Sequence, residues 1–68
     1  MANIYEKVGE NIRSLRKRVG LSQEELANRA KLDLTSISEI ESGSRNPSLK
    51  TLYKISLSLK IPLKELFS

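Results

Sequence analysis

The chain has 68 residues, no cysteine and no histidine, and twelve Lys and Arg against eight Asp and Glu, for a net charge of +4. That length holds one domain near the lower limit for independent folding. The missing residue types exclude disulfides, thiolate and imidazole metal sites, and the commonest general base. The basic balance favours a polyanionic partner, because released counterions drive such association.

Ile4, Val8, Ile12, Leu15 and Val19 recur at helical spacing and predict one amphipathic helix. Gly20 ends it in a left-handed conformation. Ser22 caps a second helix, and Glu25, three residues on, completes a capping box. Leu26, Ala27 and Ala30 form its apolar side. A third helix starts at Asp33, read as a capping residue, and turns Ile37 and Ile40 inward. Lys31 and Leu32 leave room for only a very short connection. Two helices joined this tightly pack at a steep angle, and the second projects as a rod. Such a rod fits the major groove, which makes double-stranded DNA the leading candidate ligand.

Residues Ser42 to Pro47 read as a loop. Ser48 then caps a fourth helix with the stripe Leu49, Leu52, Ile55, Ser56 and Leu59. The local alternation in TLYKISLSLKI is outweighed by that capped start and three–four spacing. Pro62 suits the first position of a fifth, short helix with Leu63, Leu66 and Phe67 on its apolar edge. The pattern predicts an all-α, compact five-helix domain spanning residues 1–68, without repeat or linker. No apolar run approaches membrane-spanning length. The start, MANIYEKVGE, lacks the features of a signal peptide, so a cytoplasmic protein is expected. No nucleophile–base set, metal-ligand pattern or room for a pocket is evident. The expectation is therefore no enzyme, no metal, no cofactor and no small-molecule substrate.

The run GLSQEELANRAKLDLTSISEIESGSRNPSLKTLYKIS resembles the Cro/C1-type, or Xre-like, helix-turn-helix family. The resemblance covers about Asn11 to Phe67. It rests most on Gly20-Leu21-Ser22-Gln23, Glu25-Leu26-Ala27, Ile37-Ser38, Ile40-Glu41, and Gly43 followed by Arg45-Asn46-Pro47-Ser48. The short length and LDLTSISEIESGSRN look most like restriction–modification controller proteins, though phage repressors and antitoxins share much of the pattern. The resemblance implies a lambda-repressor-like fold with its helix-turn-helix in helices two and three. It also implies a homodimeric transcriptional regulator on a palindrome-like operator, repressing by blocking RNA polymerase or activating by contacting it. The rival reading is a protein-binding module, such as an antitoxin or adaptor.

Residue by residue, the resemblance implies a phosphate contact for Gln23, aided by the helix N-terminus. Leu34, Thr35, Ser36 and Glu39 would face base edges, Glu39 as an acceptor from cytosine. Burial is the competing reading for Leu34. Many controllers carry an arginine at the Leu34 position and an aromatic at the Ser36 position, so the reading residues depart from the pattern. Arg45 and Asn46 would meet the DNA backbone, with Ser44 and Lys50 as companions. Asp33 reads as a cap rather than a ligand contact. Arg16 and Glu41 match a partly buried, structural salt bridge. Lys31 stands where relatives often have glycine, which implies left-handed strain of ~1–2 kcal/mol. Ile61, Leu63, Leu66 and Phe67 would close the core, form a two-fold dimer interface, or divide those roles. A dimer would set two recognition helices ~34 Å apart on one DNA face.

Overall fold

The structure is a computed structural model that describes residues 3–68. Four α-helices follow in order: α1 (Ile4–Arg18), α2 (Gln23–Ala30), α3 (Leu34–Ser42) and α4 (Leu49–Leu59). The fifth expected helix is a 3-10 turn over Leu63–Phe67.

Local chemistry sets the helix starts. Ser22 and Glu25 form the expected capping box, each side chain bonding the other's backbone N–H at 3.0 and 2.8 Å. Asn3 and Glu6 form a second such box at α1. The Ser48 hydroxyl accepts from the Thr51 N–H at 3.1 Å. Asp33 is at the cap position of α3, but its side chain makes no capping hydrogen bond, which corrects the role read for it. Gly20 takes the expected positive φ of 79° after α1. Lys31 and Lys60 end α2 and α4 with left-handed φ of 57° and 58°.

The apolar sides meet in one core containing Val8, Ile12, Leu26, Ile37, Ile40, Leu52, Ile55 and Leu59. The α1 stripe is shorter than expected. Ile4, the first residue of the helix, and Val19, its C-terminal cap, are 55% and 48% exposed. Leu49, at the first residue of α4, likewise lies in solvent rather than in the stripe. Leu66 is fully buried, and the 3-10 turn carrying it packs against α1 and α4. Asn11 holds that turn down, its side-chain N–H groups donating to the carbonyls of Leu66 and Ser68 at 2.9 Å each.

The α1–α3 crossing depends on Gly9. A Cβ there would overlap the Ile40 carbonyl oxygen and lie 2.7 Å from that of Glu41. Only a bare backbone allows α3 to approach this closely, and α3 is the helix that presents the candidate site.

Candidate nucleic-acid interface

The site begins with a buried ion pair. Arg16 Nε meets Glu41 Oε2 at 2.6 Å, and Nη2 donates to Oε1 at 3.1 Å. The remaining end of the guanidinium, Nη1, donates to the Leu21 carbonyl at 2.7 Å. The two side chains are 9% and 3% exposed, so they form the structural bridge expected between α1 and α3. Gln23, first residue of α2, donates from Nε2 to Glu41 Oε1 at 3.1 Å. One network therefore fixes the start of α2 against α3. It also engages one of the Gln23 donors inside the protein, leaving only part of the amide for a ligand.

In α3, Ile37 and Ile40 point into the core while Leu34, Thr35 and Ser38 face solvent. Leu34 is 47% exposed, so the burial reading for it fails. Ser36 was expected on the reading face, but it is buried. Its hydroxyl accepts from Arg45 Nη1 at 2.8 Å. The reason is angular: Ser36 lies one turn before the buried Ile40, about 40° from it around the helix, and so falls at the edge of the core.

Arg45 does not extend from its loop. Its Nη2 pairs with Glu39 Oε1 at 2.8 Å, so the guanidinium folds back onto α3. Ser36, Glu39 and Arg45 thus come together, a grouping that nine residues of separation concealed. The loop return makes this possible. Gly43 has φ of 80°, and the Gly43 and Ser44 N–H groups bond the carbonyls of Ile40 and Glu39 at 3.1 and 3.0 Å. The Ser44 hydroxyl is within hydrogen-bond distance of Ser42 and of the Glu39 carbonyl, so it helps close the end of α3. Asn46 and Lys50 are exposed beside that loop.

The C-terminal residues divide. Leu66 belongs to the core, which removes it from any dimer surface, while Ile61 and Leu63 pack half-buried against that core. Phe67 remains 43% exposed. A surface missed in the sequence is the row Leu49, Tyr53 and Leu57 on α4, whose members are 66%, 52% and 57% exposed. Its four-residue spacing was legible, but the stripe beside it drew the helix assignment.

Little else suggests chemistry. A shallow cleft of about 210 Å³ lies between Arg29, Lys31, Lys54 and Leu57, below the ~300–1,000 Å³ of usual small-molecule sites. Among the described residues, no cluster of three His, Cys, Asp or Glu side chains is placed to hold a metal. No helix there is long and apolar enough to cross a membrane. The Glu25 carboxyl is held below its ordinary pKa, chiefly by the Ser22 N–H and then by the Ser22 hydroxyl.

A tight α2–α3 pair with an outward α3 flank is the geometry of a helix-turn-helix, and the model of a helix-turn-helix domain family matches residues 9–68. The chain belongs to this family. It is 48% identical to control protein C.MunI from a Mycoplasma species, an alignment covering all of this chain and 93% of that protein. Control protein C.BamHI from Bacillus amyloliquefaciens is 42% identical over 94% of this chain and 80% of its own. The crystal structure of the restriction–modification controller C.AhdI from Aeromonas hydrophila superposes with a TM-score of 0.91 at 41% identity. That superposition covers 93% of this chain and 96% of the other. The fold is therefore the all-α, lambda-repressor-like one expected, and the helix-turn-helix domain takes its place among transcriptional regulators of the controller type. Each residue proposed for the interface lies inside the matched segment.

Proposed function

We propose that this helix-turn-helix domain binds double-stranded operator DNA as a homodimer, acting in the cytoplasm as a controller of a restriction–modification system. The observation that carries this reading is the solvent-facing flank of α3. Thr35 stands free there because Ile37 and Ile40 anchor the opposite side, and Leu34, in the first turn of the helix, is exposed beside it. Leu34 offers a methyl-bearing surface to thymine, and the Thr35 hydroxyl offers a donor and acceptor to a base edge. Gln23, Ser44, Asn46 and Lys50 flank them and set register on phosphate, with Arg45 between the two groups. The likeness to control proteins supports the restriction–modification part of the reading.

Two exposed apolar surfaces are available to a second copy: Phe67, and the α4 row of Leu49, Tyr53 and Leu57. Regulation follows from where the dimer sits, blocking RNA polymerase at one site or contacting it at another. The test is selection of bound duplexes from a random pool, followed by affinity measurements across a salt series. One palindrome-like sequence should emerge, with affinity falling steeply as salt rises. Failure to enrich any duplex, with salt-insensitive weak binding, would leave a protein-binding module as the better reading.

A further inference from the structure

Arg45 is the basic residue that the structure joins to the α3 flank by both a hydrogen bond and an ion pair. The Glu39 and Arg45 side chains are 43% and 45% exposed. An isolated surface pair of that kind adds little stability. Here, however, a third group takes part: the buried Ser36 hydroxyl bonds the same guanidinium. Ser36 sits on the rigid body of α3, and Glu39 lies about one turn along the same helix. The arginine is thereby held at two points by one stiff element, although its backbone belongs to a loop. The guanidinium retains further N–H donors in a flat fork, which suits it to paired acceptors.

We infer that Glu39 is a positioning residue for Arg45, and that with Ser36 it makes Arg45 part of the sequence-reading surface rather than a simple phosphate clamp. This rests on the DNA-binding reading above. A bare carboxylate aimed at a duplex meets repulsion from phosphates. One neutralised by Arg45 does not, and it limits the arginine to a narrow set of positions. Preorganisation of this kind helps the correct site and gives no equal help at random sequence, where an arginine free to swing finds phosphate anyway. Glu39 therefore acts on selectivity through Arg45, without itself accepting from a base.

The experiment uses two probes. One is the duplex that the unmodified chain enriches from a pool with about 20 randomised base pairs, enough for two half-sites one turn apart. The other is a scrambled duplex of equal composition. Affinities are measured at one salt concentration for the unmodified chain and for E39Q, R45K, R45A and E39Q/R45A. E39Q and R45K should each lower the selected-over-scrambled ratio by roughly fivefold or more, the scale of one good bidentate contact. Affinity for the scrambled probe should hold or rise. In the R45A background, E39Q should leave the ratio unchanged. An equal loss of ratio with and without Arg45 would overturn the inference, since Glu39 would then be touching a base itself. A ratio in R45K equal to that of the unmodified chain would also overturn it, because a point charge would suffice. R45K leaves Glu39 in place, so it decides the matter even where E39Q folds poorly. Absence of any enriched duplex for the unmodified chain strikes the DNA-reading function instead, a result distinct from either of these.

Discussion

Replacing Glu41 with alanine tests the central structural argument. The Arg16 guanidinium is buried and meets both carboxylate oxygens of Glu41, at 2.6 and 3.1 Å. Its remaining bond goes to the Leu21 carbonyl. Without Glu41 a buried cation keeps only a neutral partner, and such losses cost ~3–5 kcal/mol. A 68-residue domain has about 3–10 kcal/mol of total stability. E41A should therefore lose a third of its stability or more, and it should be largely unfolded if the chain lies near the lower end of that range. Urea denaturation followed by far-UV circular dichroism measures the change directly. The double variant R16M/E41L removes both charges and should recover at least half of the loss, because the penalty comes from the unpaired ion. A loss in E41A below ~1 kcal/mol would refute the reasoning, since that is the scale of a solvated surface pair. So would a double variant less stable than the single one. Gln23 adds a functional readout: freed from Glu41 Oε1, it should bind scrambled duplex with altered affinity even under conditions where E41A stays folded.

Three further outcomes are expected. G9A should lose at least ~1–3 kcal/mol, the usual cost of overpacking, because the added methyl meets α3 backbone rather than a movable side chain; an unchanged denaturation midpoint would place the two helices farther apart. K31G and K60G should each raise the melting temperature, as relief of ~1–2 kcal/mol of left-handed strain exceeds the roughly 0.5–1 kcal/mol of added unfolded-state freedom; a lower melting temperature for both would contradict the strain at these caps. The Glu25 carboxyl has a folded pKa below its unfolded value, so its support of α2 is complete above the ordinary carboxylate pKa of about 4.3 and fades as pH falls through the lowered folded value. E25Q should accordingly show a shallower loss of stability on acidification than the unmodified chain, and identical acid limbs would deny the capping contribution.

The helices were legible because their signals are local. Ser22 with Glu25, and Ser48 before the α4 stripe, satisfy free N–H groups a few residues away, and the structure bonds them as read. The α2–α3 pair and the Arg16–Glu41 bridge were legible through family pattern as well as residue chemistry. Other features were not. Gly9 is unremarkable within an amphipathic stripe, and its need for a bare backbone appears only when α3 crosses it. Ser36 and Arg45 were assigned separate contacts, one to base and one to backbone, whereas the loop return bonds them to each other. Leu66 and Phe67 are neighbours in sequence, yet one fills the core and the other faces solvent.

The amino-acid order by itself determined the four segments that become α-helices, the capped starts of α2 and α4, and that the second and third helices form a tight pair with one outward side. These follow from hydrogen bonds and apolar spacing that span at most a few turns. Tertiary structure alone decided which polar groups remain available on that outward side. Availability depends on what a loop or a crossing helix brings within about 3 Å, and that distance is set by chain closure and packing rather than by any local spacing.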